Sequence, residues 1–121
     1  MAKRLLIVED ALDIQTLLRR LFEMEGYAVQ CASNGQEAID LLQTTTDLPS
    51  LILLDLMMPV MDGFEFREKQ KLVGEWSTIP TVVMTADGDA QFQRVKIEAT
   101  GFLRKPVDID TLLSTAERYC A

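Results

Sequence analysis

The sequence contains no histidine, and this absence excludes several kinds of chemistry. Without an imidazole, the chain has no histidine to act as a general base or as a metal ligand, and it cannot itself carry a phosphohistidine. Cysteine is also scarce. Cys31 and Cys120 lack the spacing of metal-binding pairs and no secretory context accompanies them, so we expect two reduced thiols.

Long apolar runs and clusters of basic residues are missing as well. No run approaches the roughly 20 residues that a membrane helix needs, and the apolar stretch after Lys3 and Arg4 is too short for a signal peptide. We therefore expect a cytoplasmic protein without membrane insertion. The formal net charge is −7. Because phosphate neutralisation requires clustered Lys and Arg, we expect no direct binding to nucleic acid.

The 121 residues suffice for one domain but not for two, so we expect a single domain over residues 1–121. The most informative stretch is residues 51–63, LILLDLMMPVMDG. Four aliphatic residues in a row end on Asp55 and are followed by Pro59 and Gly63. This pattern predicts a short strand buried on both faces, as in a parallel sheet that is covered by helices.

Hydrophobic periodicity predicts strands that alternate with helices along the whole chain. The predicted strands are Arg4–Val8, 27–31, 51–54, 81–84 and Gly101–Arg104. Gly26 ends the first predicted helix, and a capping box of Ser33 and Gln36 opens the second. The third helix follows Asp62 and is ended by Gly74. The fourth has Phe92, Val95 and Ala99 on one face, and Asp108 caps the fifth.

Five strands alternating with five helices imply an α/β fold with a parallel sheet and right-handed crossovers. In the doubly wound, flavodoxin-like strand order 2-1-3-4-5, the first and third strands are neighbours. Glu9 and Asp10 follow the first strand and Asp55 ends the third, so these carboxylates would converge. Such a cluster is repulsive unless a cation joins it, and oxygen ligands suit Mg²⁺, with Mn²⁺ as an alternative. Lys105 would supply one more positive charge.

These motifs together resemble the receiver domain of two-component response regulators over essentially the whole chain. The resemblance rests on Glu9-Asp10 after the first strand, Asp55 in LLDLMMPVMDG, Thr85-Ala86 after the fourth strand and Lys105-Pro106 after the fifth. It implies a phosphorylation-activated signalling switch that accepts a phosphoryl group from a histidine kinase or a histidine phosphotransfer protein. Such a switch is not an enzyme in the usual sense, because it catalyses only its own phosphotransfer and autodephosphorylation.

The resemblance also implies a role for each residue of the motifs. Asp55 would accept the phosphoryl group, and Thr85, Ala86 and Lys105 would bind it. Asp10 would bind Mg²⁺ directly and Glu9 through water, with the Met57 carbonyl as a further ligand. The Thr85 hydroxyl would move to the phosphoryl group, and the Phe102 side chain would then turn inward. We further predict a cis Lys105–Pro106 bond. A downstream protein would bind the fourth helix, fifth strand and fifth helix. No output domain follows Ala121, so we expect a stand-alone receiver or one cut from a longer protein.

The same residues also have purely structural interpretations. Asp55 could cap the turn after its strand, and Glu9 and Asp10 could form a solvated helix start. Thr85 could simply end a strand, and Lys105 could lie on the surface. Phe102 could belong to the core, and the side chains of Met57, Met58 and Met61 could pack in the interior. For the acidic pair, the threonine and the lysine, all of these interpretations would have to coincide at successive strand ends.

Three other functions fit the sequence less well. A haloacid dehalogenase-type phosphatase would need a second Asp two residues after the nucleophile, where this chain has Met57. A flavodoxin-like cofactor binder would need a phosphate loop rich in Ser, Thr and Gly after the first strand, but the segment EDALD is acidic. A degenerate receiver that only mediates protein contacts would not need Asp55, Thr85 and Lys105 together.

Some positions depart from the usual receiver pattern. Glu98 stands where receivers often carry Gly, which could alter the end of the fourth helix. Arg67 and Gln70 make the third helix unusually polar. Met57 and Asp87 lie two residues beyond Asp55 and Thr85, and such positions influence the lifetime of the phosphorylated state in the family. An apolar Met57 could limit the access of attacking water.

Overall fold

In a computed structural model, which describes residues 3–86 and 98–120, the chain forms a parallel sheet in the order β2-β1-β3-β4-β5. The strands are β1 (Arg4–Val8), β2 (Ala28–Ala32), β3 (Leu51–Asp55), β4 (Thr81–Thr85) and β5 (Gly101–Arg104). The described helices are α1 (Leu12–Met24), α2 (Gly35–Thr44), α3 (Gly63–Leu72), the one-turn α4 (Gly74–Ser77) and α5 (Ile109–Tyr119). The predicted strand order and doubly wound fold class are confirmed. The predicted helix through Phe92 and Val95 lies outside the described residues.

The register of the strands brings their carboxyl ends to one edge of the sheet. Val8 pairs with Leu54, Asp55 with Met84, and Thr85 with Arg104, all in parallel. The residues that follow β1, end β3 and β4, and follow β5 are therefore neighbours in space. This edge is where open α/β sheets form their ligand crevices.

The sheet has a separate apolar core on each face. Alternate residues of β1 and β3 point to opposite sides, as the two-residue period of a strand requires. Leu6, Val8, Ile52 and Leu54 pack on the face covered by α2, α3 and α4, whereas Leu5, Ile7, Leu51 and Leu53 pack on the face covered by α1 and α5. All five residues of β3 are buried, which confirms the strand predicted from LILLD.

Most predicted helix ends are confirmed, but the capping box of α2 is shifted by one residue. Asn34, not Ser33, is the N-cap, and its side chain accepts a 2.9 Å hydrogen bond from the Glu37 amide. The Glu37 carboxylate accepts in return from the Ser33 amide at 2.9 Å. Asn and Ser are comparable N-cap residues, and Glu at this position also interacts favourably with the helix dipole. The shifted register therefore replaces the predicted partner Gln36 with a charged one.

Two polar residues of α3 are internal rather than solvated. Arg67 and Gln70 are buried. Gln70 donates to the Trp76 carbonyl at 2.9 Å and to the Thr81 hydroxyl at 3.0 Å, so it joins α3 to α4 and to the start of β4. The prediction that Gly74 ends α3 is wrong, because α3 ends at Leu72 and Gly74 begins α4. Trp76 of α4 completes the core on this face.

Glu98 adopts a left-handed conformation, with φ of 56°. This explains why glycine would suit the position, since only glycine enters that region without steric cost. Two contacts with α3 hold the glutamate in place. Its carbonyl accepts a 2.9 Å hydrogen bond from Arg67, and its carboxylate forms an ion pair with Lys71.

Across residues 3–86 and 98–120, every helix is too short or too polar to span a lipid bilayer.

Candidate functional site

Three carboxylates converge at the carboxyl edge of the sheet. Glu9 and Asp10 follow β1, Asp55 ends the adjacent β3, and one carboxylate oxygen of each lies within 4.8 Å of the others. Glu9 is 1% exposed and Asp55 6%, whereas Asp10 is exposed. The predicted acidic cluster is therefore present, with two buried members and one that faces solvent.

Glu9 is fixed at both its backbone and its side chain. Its amide donates to the Ala32 carbonyl at 3.0 Å, and its carbonyl accepts from Gln15 Nε2 at 2.8 Å. Its Oε2 accepts from the Ala11 amide at 3.3 Å. Sequence reasoning missed Gln15, because a glutamine in an amphipathic helix gives no signal that it bonds to the end of a strand.

Lys105 reaches the cluster from the residue after β5. Its Nζ donates to Glu9 Oε1 at 2.8 Å and lies 3.6 Å from Asp55 Oδ1. The positive charge of Lys105 at this cluster was predicted, but its short contact with Glu9 was not. The Lys105 amide donates to the Thr85 carbonyl at 2.8 Å, and the Lys105–Pro106 bond is cis, as predicted. The ammonium thus joins the carboxylates of β1 and β3.

Burial and like charge disfavour ionisation of Asp55. Burial and the Glu9 charge together raise the pKa of Asp55 to about 6, because Lys105 and the Met57 amide, which lower it, only partly offset them. Burial alone would lower the pKa of Lys105, but its hydrogen bond to Glu9 and the Asp55 charge outweigh burial and raise it. One ammonium therefore does not balance the cluster, and a further cation would stabilise the ionised form of Asp55.

This electrostatic imbalance predicts an unusual pH dependence of stability. Between the ordinary pKa of Asp55, 3.8, and its folded value of about 6, the folded state binds more protons than the unfolded state. Without Mg²⁺, the contribution of Asp55 to stability should therefore decrease as the pH rises from about 4 to about 6, by at most about 3 kcal/mol. Urea denaturation of the wild type and Asp55→Asn across this range measures the difference. A difference in stability that is independent of pH would contradict the prediction.

Asp55 also fulfils the structural role considered for it. Its Oδ1 accepts a hydrogen bond from the Met57 amide at 3.4 Å, so the residue stabilises the turn after β3 and belongs to the site at the same time. Gly63 lets α3 start directly behind this turn. A Cβ there would lie 2.8 Å from both the Asp55 carbonyl oxygen and the Leu56 Cα, a close approach that only glycine allows.

The three methionines after β3 have different environments. Met61 is buried and Met58 packs against the core, but Met57 is 72% exposed. The packing interpretation is therefore wrong for Met57. Its side chain is exposed two residues after Asp55, and its effect on the access of water remains a prediction. The other flanking residue, Asp87, lies outside the described residues.

Thr85 and Phe102 lie in the last two strands, and Ala86 directly follows β4. Thr85 is buried at the end of β4, next to Arg104 of β5, and Ala86 follows it on the surface. Phe102 is half-buried in β5 opposite Val83 and packs against the core on the α2–α3 face. The fold therefore brings Thr85 to the same edge as the acidic cluster, and places Phe102 two strand positions before it.

Known proteins are similar to this chain in fold and in sequence. The family model "Response regulator receiver domain" matches residues 5–117. Sporulation initiation phosphotransferase F of Bacillus subtilis is 35% identical, with 98% of this chain and 94% of that protein covered. The receiver domain of a signal transduction histidine kinase from Syntrophus aciditrophicus is 31% identical with a TM-score of 0.90, covering 98% of this chain and 90% of that one. A receiver domain of a sensor histidine kinase from Pseudomonas aeruginosa has the same fold, with 21% identity, a TM-score of 0.89, and 99% and 98% coverage. With its acidic cluster and its lysine at the edge of a 2-1-3-4-5 sheet, the chain belongs to the family of response regulator receiver domains.

Proposed function

We propose that Asp55 is the phosphoryl acceptor of this receiver domain. The observation that carries the proposal is a buried carboxylate that lies in one cluster with a second buried carboxylate and has an ammonium, Nζ of Lys105, 3.6 Å away. One Asp55 oxygen would attack phosphorus, and the bond to the donor's imidazole nitrogen would break with the electron pair leaving on nitrogen. A carboxylate is a competent nucleophile for such an intermediate, and Lys105 would stabilise the charge on the transferring oxygens.

The acidic cluster fits Mg²⁺ as the further cation. All three side chains offer oxygen, which this ion prefers, and the burial of Asp55 together with the Glu9 charge disfavours a cluster without a further positive charge. When bound, the metal would neutralise charge on the phosphoryl oxygens. The Pseudomonas receiver domain with the same fold was solved with a magnesium ion in its active-site cleft. Three carboxylates, a divalent cation and an ammonium are neutral in sum.

The contacts support different roles for the members of the cluster. Both Glu9 oxygens already accept hydrogen bonds, from Lys105 and from the Ala11 amide, which supports a contact to the metal through water. Asp10 faces solvent, and its carboxylate can turn towards an ion. Asp10 and Asp55 would therefore be the direct ligands, with the Met57 carbonyl as a third. Mn²⁺ would be accepted for the same reason as Mg²⁺, because it also favours oxygen.

Intact-mass analysis of the wild type tests the proposed reaction. The chain is incubated with acetyl phosphate, either with Mg²⁺ or with a chelator. We expect the mass of one phosphoryl group to be added with Mg²⁺ and none with the chelator. Equal addition under both conditions would contradict the role of the metal, and no addition under either would contradict the proposed function.

Asp10→Asn should lower the affinity for Mg²⁺ by about 10- to 100-fold. The substitution removes one charge and a direct ligand, and removing even an indirect partner of a metal site costs that much. The affinity is measured by following amide chemical shifts of residues near the cluster during a Mg²⁺ titration. Asp13→Asn, which changes an exposed acid of α1 in the same way, is the control. An unchanged affinity in Asp10→Asn would exclude Asp10 as a ligand.

We further propose that Thr85 and Phe102 transmit the effect of phosphorylation at Asp55 to the surface of the domain. The Thr85 hydroxyl would move towards the phosphoryl group, and Phe102 would take an inward rotamer. The buried position of Thr85 at the common edge, and the backbone bond from Lys105 to its carbonyl, support this route. Shifting such an equilibrium from 1:99 to 99:1 takes about 5.5 kcal/mol. A few charge-assisted hydrogen bonds of roughly 1.5–3 kcal/mol each could supply it.

Thr85→Ala should uncouple phosphorylation from the switch. We expect the variant to be phosphorylated at Asp55 but to show smaller changes at Phe102 and along α5. NMR spectra of both proteins are compared with and without beryllofluoride, which mimics the phosphoryl group. The same spectral changes in Thr85→Ala as in the wild type would show that Thr85 is not the relay.

The remaining proposals concern partners and boundaries. Receiver domains interact with histidine kinases or phosphotransfer proteins, and we propose such a donor here. The output surface would comprise the predicted fourth helix, β5 and α5. Between β5 and α5 lies an open groove of about 550 Å³ whose lining includes Phe102, Asp110 and Arg118.

We also propose that residues 1–121 form one domain, that this domain dephosphorylates itself, and that it acts in the cytoplasm.

A further inference from the structure

Val60 adopts a conformation that valine avoids. Its φ is 68°, and the Met61 amide donates to the Pro59 carbonyl at 2.7 Å, so Val60 is the central residue of a γ-turn with positive φ. That turn is rare and strained, and a β-branched side chain in the left-handed region is a genuine outlier. Glycine or asparagine would form the same turn at lower cost.

The residues around Val60 make contacts that stabilise the fold, but the Val60 side chain is exposed. Met61 is buried, and its carbonyl accepts a 2.9 Å hydrogen bond from the Gly35 amide. At the end of the loop, the Gly63 amide donates to the Leu56 carbonyl at 2.9 Å. These contacts anchor the turn, whereas the Val60 side chain is 81% exposed. Packing within the domain therefore does not compensate the strain at this position.

Val60 is one of four exposed apolar residues in the segments that follow the strands of the site. Met57 and Val60 follow β3, Leu12 begins α1 after β1, and Ile109 begins α5 after β5, and all four side chains are exposed. Each lies just beyond a strand that supplies a group of the site. A small phosphodonor needs no such surface to reach Asp55. A protein that brings a phosphohistidine to Asp55 must cover it.

We propose that Val60 is a specificity-determining contact for the protein that donates the phosphoryl group, held outward by its strained turn and buried against apolar side chains beside the donor's phosphohistidine. This rests on the proposed function of Asp55. Burial of the valine in the transient complex compensates the strain that the isolated domain leaves uncompensated. The chemistry at phosphorus is unchanged, so Val60 affects protein donors and not small ones.

Four proteins and two donors test the proposal. The proteins are the wild type, Val60→Gly, Val60→Ile and Leu72→Ala. Leu72 is 85% exposed and ends α3, at the opposite edge of the sheet, so its truncation is a matched control. The small donor is acetyl phosphate with Mg²⁺. The protein donor is the autophosphorylated core of a histidine kinase, namely the member of a kinase panel that transfers fastest to the wild type.

Val60→Gly should raise the melting temperature by about 3 °C, because it relieves the backbone strain of the γ-turn. It should leave the rate with acetyl phosphate unchanged and lower the rate with the kinase about tenfold, as loss of an interface contact does. Val60→Ile and Leu72→Ala should keep both rates. An unchanged kinase rate in Val60→Gly, an equal loss with both donors, or a lower melting temperature would each overturn the proposal. A wild type that acetyl phosphate does not phosphorylate would instead overturn the proposed function.

Discussion

Asp55→Asn should gain no phosphoryl group from acetyl phosphate and Mg²⁺, under conditions in which the wild type is modified. The amide is nearly isosteric with the carboxylate but is not a competent nucleophile, so the covalent step is lost while the geometry of the turn is kept. The substitution also removes the buried charge and its repulsion with Glu9, and burial and this repulsion are what raise the pKa of Asp55 in the wild type. At pH 7 without Mg²⁺, the variant should therefore be at least as stable as the wild type.

Asp40→Asn is the matched control for this experiment. Asp40 is an exposed acid of α2, and its substitution changes the net charge by the same amount. We expect the control to be phosphorylated like the wild type. Phosphorylation of Asp55→Asn at the wild-type rate would show that another residue is the acceptor, whereas an unfolded Asp55→Asn would be evident from its circular dichroism spectrum.

Lys105→Met should slow phosphorylation of Asp55 about 10²–10³-fold, the usual cost of removing one preorganised group that stabilises transition-state charge. Methionine keeps an apolar stem of similar length but removes the ammonium. Glu9, which is 1% exposed, then loses its 2.8 Å partner. Leaving a buried charge unpaired costs about 3–5 kcal/mol, so the free energy of unfolding without Mg²⁺ should fall by an amount of that order.

The same substitution should raise the affinity for Mg²⁺, because the ammonium no longer competes for the carboxylates. This opposite sign separates Lys105→Met from Asp10→Asn, which should weaken the binding of the metal. Lys71→Met is the control, since Lys71 forms a surface ion pair with Glu98 that contributes at most about 1 kcal/mol. A Lys105→Met variant with wild-type phosphorylation and Mg²⁺ affinity would exclude the lysine from the site.

The strands and the acidic cluster could be predicted because short-range patterns determine them. The run from Leu51 to Leu54 is apolar at every position and is closed by Asp55 and Pro59, which is typical of a strand buried on both faces. Once the strand order is known, the parallel register places the residues after β1 and at the end of β3 side by side. Glu9, Asp10 and Asp55 therefore meet as predicted.

The details that sequence reasoning missed depend on contacts between distant segments. Lys105 bonds to Glu9 as well as approaching Asp55, because the position of its ammonium depends on how β5 meets β1 and β3. The burial of Gln70 depends on α4, a single turn too short to give a periodic signal. The strain at Val60 is invisible in sequence because valine is not a residue expected at positive φ.

The measurement that tests the central claim most directly is the location of the phosphoryl group in the wild type. After reaction with acetyl phosphate and Mg²⁺, borohydride reduction converts an aspartyl phosphate to homoserine, and peptide mass spectrometry locates the change. The account predicts homoserine at position 55 and at no other acidic residue, with none when the metal is chelated. Homoserine at position 10, the longer alcohol 5-hydroxynorvaline at position 9, or an unmodified position 55 in phosphorylated protein, would contradict it.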